Sequence, residues 1–151
     1  MLAIQMFAAV SLYAWIEYGI HRFDMHRPGS YRFESHTIAH HGRGGMAEDE
    51  ASLTQTNVGS VFWLTLPLTI PIAWVWGWSF ICCWAALLFW AGFTWTAVHR
   101  HIHGEPGYRY AYLLCPWLRA VRWNHLRHHA CPRRAYGGLF FFLTDPIAGT
   151  L

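Results

Sequence analysis

The stretch that decides the fold is 58-VGSVFWLTLPLTIPIAWVWGWSFICCWAALLFWAGFTWTAV-98, which contains no Asp, Glu, Lys, Arg or His. It is about twice as long as the roughly 20 apolar residues that one helix needs to cross the hydrocarbon core of a bilayer. We therefore predict a hairpin of two membrane helices, over about 58–76 and 79–98, with its turn near Gly77. Both ends of such a hairpin emerge on the same side of the bilayer.

The chain before the hairpin begins with another apolar segment, residues 1–20. We interpret it as a retained membrane helix, because it lacks the basic start and the small-residue cleavage site of a removable signal peptide. Two polar, histidine-rich parts remain, 21–57 and 99–151. The predicted fold class is all-α: an integral-membrane helix bundle of about three to four spans with a cytosolic histidine-rich helical cap, forming a single domain over 1–151.

The positive charge is confined to two blocks of the chain. All eleven basic residues are arginines, the net charge is +3, and the blocks run from Arg22 to Arg43 and from Arg100 to Arg134. Because these blocks flank apolar segments, the positive-inside rule explains them better than nucleic-acid binding does. We expect a histidine-rich face on the cytoplasmic side of a bacterial inner membrane, and no nucleic-acid partner.

The eleven histidines fall into four clusters, at 21–26, 36–41, 99–103 and 125–129. Residues three or four positions apart share one face of an α-helix, so their imidazoles can point to a common centre. The spacing predicts chelating sets of this kind in three of the clusters. They are His36 with His40, His99 with His103, and His125 with both His128 and His129.

Two clusters contain spacings that do not suit an α-helix. His101 is turned about 200° from His99, so we exclude it from the site. His21 and His26 are about 140° apart, which indicates that they straddle a helix end or serve different ions. The candidate metal ligands are therefore His21, His26, His36, His40, His41, His99, His103, His125, His128 and His129.

Ten candidate ligands are too many for one metal ion. A structural zinc takes four ligands and a catalytic zinc three with an open position, so the set predicts two metal ions with some histidines to spare. Imidazole suits zinc, copper, iron and nickel, so the ligand type alone leaves the metal open.

Several carboxylates are candidates for orienting these imidazoles by accepting a hydrogen bond from the ring nitrogen that does not bind the metal. Glu17 lies one helical turn before His21, where it is either a hydrogen-bond acceptor for the second ring nitrogen or simply an interfacial charge. Asp24, Glu34 and Asp145 are further candidates of the same kind. The acidic run 48–50 is interpreted as a solvated loop, with docking of a basic electron-transfer partner as the alternative.

Taken together, the histidine motifs resemble those of the membrane fatty acid hydroxylase and sterol desaturase superfamily, which includes the small bacterial beta-carotene hydroxylases. The resemblance covers nearly the whole chain and rests on the order and spacing of the motifs. They are HRFDMH at 21–26, HTIAHH at 36–41, HRHIH at 99–103 and NHLRHH at 124–129, followed by AYGG and the closing DPIAGT.

The resemblance implies a membrane-bound oxidoreductase of lipid metabolism, a monooxygenase that hydroxylates an unactivated C–H bond of a fatty acyl, sterol or carotenoid substrate. It implies that the ten histidines bind two metal ions, iron being expected and zinc an alternative occupant, with O2 as co-substrate and no catalytic residue beyond the ligands. The chain has no G-x-G-x-x-G loop or haem-binding segment, so an external ferredoxin- or cytochrome-type donor with its reductase would supply electrons.

Three alternatives remain at this point. A lipid desaturase would use the same metal centre. A zinc-dependent membrane hydrolase is disfavoured because no H-E-x-x-H helix supplies a general base. A non-enzymatic metal-binding or transport protein is disfavoured because transport calls for ionisable groups within the spans, and residues 58–98 have none that are charged.

Overall fold

The computed structural model describes residues 1–30, 32–42, 63, 65–67 and 69–151. All regular secondary structure in these residues is helical, which agrees with the predicted all-α class. The acidic run 48–50 and the first residues of the predicted hairpin lie outside the described part. The helices are α1 (Leu2–Ile20), π1 (His21–Met25), π2 (Glu34–His41), α2 (Thr65–Trp76, described except for residue 68), α3 (Trp78–Ile102), α4 (Ala111–Leu114), α5 (Leu118–Ala130) and α6 (Phe141–Ala148).

Two of these helices are long and apolar enough to cross a bilayer. One is α1 continued by π1, over Leu2–Met25, and the other is α3, over Trp78–Ile102. The helix α2 is apolar but shorter. The predicted turn agrees with the structure, because Gly77 separates α2 from α3 with a φ of 78°, a conformation that glycine adopts without steric cost.

The helices α1 and α3 pack directly against each other. Small side chains lie fully buried in this core, among them Ala9 and Ala14 of α1 and Ala91 and Ala97 of α3. Small residues let two helix backbones approach closely, which is the usual packing mode where no hydrophobic force between helices is available. The two long helices therefore form a tight pair.

The first two histidine clusters lie on π-helices rather than on α-helices. In a π-helix each backbone N–H bonds to the carbonyl five residues earlier, so the turn is wider and residues five apart lie closer to one face than in an α-helix. His21 and His26 have this separation along π1 and its C-terminal cap, and His36 and His41 have it within π2. The π turns thus align histidines that an α-helix would point in different directions.

The C-terminal part of the chain closes the histidine-rich end of the molecule. The helix α6 packs on α1, and the residues that lead into it, Leu139 to Phe141, are buried. Gly149 ends α6 in the left-handed conformation. Leu139, Phe140 and Phe141 belong to the hydrophobic core.

Candidate metal centre

The ten predicted histidines come together in two groups of five. Within each group, one ring nitrogen of every residue lies within 4.8 Å of the corresponding atoms of the others. Imidazoles that are far apart in the sequence thus meet at one end of the molecule. Group A contains His21, His26, His36, His41 and His128, and group B contains His40, His99, His103, His125 and His129.

Each group takes four members from one half of the chain and a single member from the other. His128 of α5 joins the early histidines of group A, and His40 of π2 joins the late histidines of group B. Both side chains are fully buried. The groups also adjoin, since the ring of His41 stacks on the ring of His129 with centroids 4.4 Å apart. The two halves of the chain therefore interlock through their imidazoles.

This partition corrects part of the pairing expected from α-helical spacing. His36 shares group A with His41, five residues away, while His40 belongs to group B. The physical reason is the π-helical turn of this segment, which aligns residues five apart. His21 and His26 likewise belong to the same group, although an ideal α-helix would separate them.

On the two α-helices the expected spacing holds in part. His99 and His103 share group B, as do His125 and His129, each pair four residues apart. The correction concerns His128, which is three residues from His125 and belongs to group A. His101 lies outside both groups and contacts Tyr112, with ring centroids 5.0 Å apart.

In three histidines of group A, a hydrogen bond between Nδ1 and an oxygen atom determines which ring nitrogen carries the proton. His21 Nδ1 lies 2.6 Å from the carbonyl oxygen of Tyr136, and His128 Nδ1 lies 2.7 Å from that of Arg134. A carbonyl only accepts, so both Nδ1 atoms carry the proton. In a neutral imidazole the other nitrogen, Nε2, then presents a lone pair.

His26 is fixed in the same way by a hydroxyl group. The Thr37 hydroxyl donates to the carbonyl of Met25 at 2.7 Å, so its oxygen accepts from His26 Nδ1 at 3.3 Å. The Nε2 atom of His26 therefore also presents a lone pair. It lies only 2.9 Å from Nε2 of His128. Two lone pairs at this distance repel each other unless a positive charge lies between them, so the arrangement fits a bound cation.

The distances between ring nitrogens also fit metal coordination. With metal–nitrogen bonds of about 2.0–2.1 Å, two ligands at right angles are about 2.8–3.0 Å apart, and two at the tetrahedral angle about 3.3–3.4 Å. Five of the separations lie near these ranges, and the ligand nitrogens of a group, one from each residue, all lie within 4.8 Å of one another, so each group is compact enough to surround one metal ion. The five separations are 3.0 Å for His21–His36, 2.9 Å for His26–His128, 3.2 Å for His36–His41, 3.0 Å for His103–His125 and 3.0 Å for His125–His129.

Burial keeps these imidazoles uncharged. Burial, followed by repulsion among neighbouring imidazoles, lowers the pKa of His41 to about 2 and that of His129 to about 3. The pKa values of His26 and His128 fall to about 4, again chiefly through burial. Metal ions bind the neutral form of imidazole. These four imidazoles are therefore in the state that coordination requires at neutral pH.

Asp145 supports the backbone that orients group A. Its fully buried carboxylate accepts the backbone N–H of Tyr136 at 2.9 Å and that of Gly137 at 2.8 Å. The side chains of Asn124 and Thr150 donate to it as well, at 3.1 Å and 2.7 Å. The carboxylate thus fixes the loop whose carbonyl at Tyr136 holds His21, one step further from the ring than the sequence suggested.

Two glycines allow this loop to pass close to its neighbours. A Cβ at Gly137 would overlap Phe141 and the Asp145 carboxylate, and a Cβ at Gly138 would overlap the Glu17 carboxylate. No other residue type fits at either position without displacing a carboxylate or the helix α6.

The other three carboxylates do not orient ring nitrogens in the way the sequence suggested. Glu17 accepts a hydrogen bond from the Tyr13 hydroxyl at 3.3 Å, and the partner of the His21 ring is the carbonyl of Tyr136 instead. Asp24 forms an ion pair with Arg32. Glu34 is exposed at the start of π2. Of the four predicted supporting carboxylates, Asp145 alone reaches the histidines, and it does so through the backbone.

Several supporting groups gave no signal in the sequence. The carbonyls of Arg134 and Tyr136 are backbone atoms, which any residue type supplies. Thr37 and Trp95 also touch the groups, the indole ring of Trp95 stacking on His99 at 5.2 Å. The AYGG motif was the one available pointer to the loop, through its two adjacent glycines.

No protein-family model, no curated protein and no solved structure matches this chain.

Proposed function

We propose that this chain is an integral-membrane, dinuclear iron oxygenase that inserts one oxygen atom of O2 into a C–H bond of a lipid. One observation carries the proposal: two adjoining groups of five imidazoles lie at one end of a pair of long apolar helices. The order of the histidine motifs, which resembles that of the fatty acid hydroxylase and sterol desaturase superfamily, supports the same reaction class.

The choice of iron rests on the number and spacing of the ligands. Five nitrogens in each group exceed the four of a structural zinc site. The nitrogens of each group lie within 4.8 Å of one another, so one ion can contact more than four of them. Imidazole suits iron well, and iron supplies the one-electron chemistry with O2 that zinc, which has no redox activity, does not.

The lipid substrate follows from the position of the groups. They lie where α1 and α3 end, so a chain dissolved in the bilayer would reach them without crossing water. The overall reaction is R–H + O2 + 2 e⁻ + 2 H⁺ → R–OH + H2O. The electrons come from a separate ferredoxin- or cytochrome-type protein with its reductase.

In this proposal the chain's own residues bind the metal ions, orient the imidazole rings and keep water away from them. His21, His26 and His128 direct Nε2 lone pairs inward because their Nδ1 atoms are bonded to oxygens behind them. Burial of the imidazoles excludes water and keeps protons off the ligands. Bound iron supplies the reduction of O2 and the attack on the C–H bond.

The test is product analysis under labelled oxygen. The iron-loaded protein is expressed with a surrogate donor and reductase under ¹⁸O2, and membrane lipids and carotenoids are profiled by mass spectrometry. We expect a lipid that gains one ¹⁸O atom with the wild-type chain and not with His128→Ala. A product that loses two hydrogens would assign desaturation. Metal flux into vesicles without oxygen consumption would contradict both reactions.

A further inference from the structure

A groove of about 830 Å³ lies on the side of α5 that faces away from the two histidine groups. It is bounded by the end of α3, by α4 and by the outer face of α5. The residues that give it its character are Arg119, Arg122, Arg127, His101, Tyr112 and Trp123. None of these belongs to the candidate metal centre.

The groove is strongly positive. Three of the residues that line it are arginines, and none is a carboxylate. Arg119 and Arg122 are exposed and lie one helical turn apart, so both guanidinium groups reach the same space. The guanidinium of Arg127 lies over the Trp123 ring, 4.4 Å from its centroid, which fixes its position. Guanidinium groups bind phosphate oxygens with good geometry and high strength.

The length of α3 indicates at which level of the bilayer the groove lies. A helix of 25 residues is about 37 Å long, whereas the hydrocarbon core is about 30 Å thick and the headgroup layers add several ångströms on each side. If α3 spans the bilayer from Trp78, its last turn, which includes Ile102, lies in the headgroup layer. The groove borders this last turn.

The helix α4 folds back along α3 beside the groove. The ring of Tyr110, just before α4, stacks on Phe93 with centroids 6.3 Å apart. Phe93 is nine residues before the end of α3, or about 13 Å along its axis. Leu113 of α4 is 85% exposed, as is 81% of Phe89 on α3. They lie beside the groove, whose own exposed apolar and aromatic lining residues are Tyr112, Trp123 and Leu126.

We propose that the groove binds the headgroup phosphate of an anionic phospholipid, with Arg119 and Arg122 as its main ligands. The proposal rests on the membrane placement of α3 in the proposed function, but not on the oxygenase reaction. The concave shape, the exposed apolar lining residues and the position at headgroup depth favour a lipid over an acidic protein, which would approach from the aqueous phase.

The experiment measures lipid affinity of the purified chain in a neutral detergent. The probes are dihexanoyl phosphatidylglycerol, dihexanoyl phosphatidylcholine and inorganic phosphate, and binding is read by native mass spectrometry and thermal shift. We expect phosphatidylglycerol to bind at least tenfold more tightly than the other two. The double variant Arg119→Gln with Arg122→Gln should lose roughly thirty-fold in this affinity, from about 1 kcal/mol for each arginine.

The matched control is Arg109→Gln with Arg133→Gln, which removes the same charge from two exposed arginines outside the groove. It should retain the wild-type affinity. An equal loss in both double variants would overturn the proposal in favour of non-specific attraction. Equal binding of the two lipids, or of inorganic phosphate and phosphatidylglycerol, would also overturn it. So would a groove double variant that still binds lipid normally but no longer binds an acidic ferredoxin-type protein.

The outcome is independent of the proposed reaction, because the readout is lipid affinity. If alkaline carbonate extracts the chain from membranes, α3 does not span the bilayer, and both proposals fail. An integral chain without headgroup selectivity would overturn the groove proposal alone.

Discussion

Two buried histidines interlock the halves of the chain, and the candidate centre depends on them more than on any other residue. His128 completes a group otherwise formed by residues before position 42, and His40 completes one otherwise formed by residues after position 98. Both are 0% exposed.

Replacing either of these histidines should empty one group and leave the other occupied. We expect His128→Ala and His40→Ala each to lower the metal content from about two ions per chain to about one, and to abolish turnover. Inductively coupled plasma mass spectrometry of purified protein measures the ratio. His101→Ala, which removes an imidazole outside both groups, should keep the wild-type metal content. Equal metal loss in all three variants would contradict the assignment.

Asp145 acts on group A at a distance, through the loop that holds His21. Asp145→Asn replaces an anionic acceptor of four hydrogen bonds, so we expect a loss of stability of about 2–3 kcal/mol and a 10–100-fold weaker affinity for the ion of group A. Chelator titration followed by thermal unfolding separates the two effects. The matched control is Asp24→Asn, which removes a carboxylate that pairs with Arg32 and does not hold the Tyr136 loop. A loss of stability with unchanged metal affinity would show a merely structural role.

At the scale of the helices, residue type was enough to predict the helical class, the turn at Gly77 and which ten histidines lie together. The uncharged stretch 58–98 and the turn at Gly77 follow directly from composition. The partition of the histidines did not follow, because α-helical periodicity pairs His36 with His40, whereas the π turn pairs His36 with His41. The loop carbonyls could not be predicted either, because every residue has a backbone carbonyl and the residue type does not show where it points.

The close packing of α1 on α3 can be tested with one enlarged side chain. Ala91 of α3 is fully buried in the core that α1 and α3 share, so Ala91→Leu should overpack this core and destabilise the protein by about 1–3 kcal/mol. Ala86→Leu adds the same side chain on the exposed side of α3 and should change stability by less than about 0.5 kcal/mol. Thermal unfolding in detergent compares them. Equal effects of the two substitutions would contradict the helix pairing.

At the scale of the whole molecule, the buried imidazoles tie stability to pH. The native pKa values of His26, His41, His128 and His129 lie between about 2 and 4, below the value of 6.5 for an unperturbed histidine. Between these limits the unfolded chain binds more protons than the native chain does. The free energy of unfolding is therefore retained above about pH 6.5 and decreases as the pH falls below this value.

This dependence is measurable in the chelator-treated protein. A buried histidine such as His128 should cost about 1.4 kcal/mol of unfolding free energy for each pH unit below its unfolded pKa, until the native value is reached. We expect the thermal midpoint in detergent to stay nearly level from pH 7.5 to about pH 6.5 and then to fall towards pH 5. A midpoint that stays constant or rises over this range would show that the imidazoles are not held neutral by burial.

The claim on which the account depends is that two ions are held side by side by the interlocked imidazoles. The most direct measurement is the ratio of metal to protein in detergent-purified chain from iron-supplemented cells. We expect about two iron ions per chain, one for each group of five histidines. A folded protein that holds one ion or none under these conditions would contradict it.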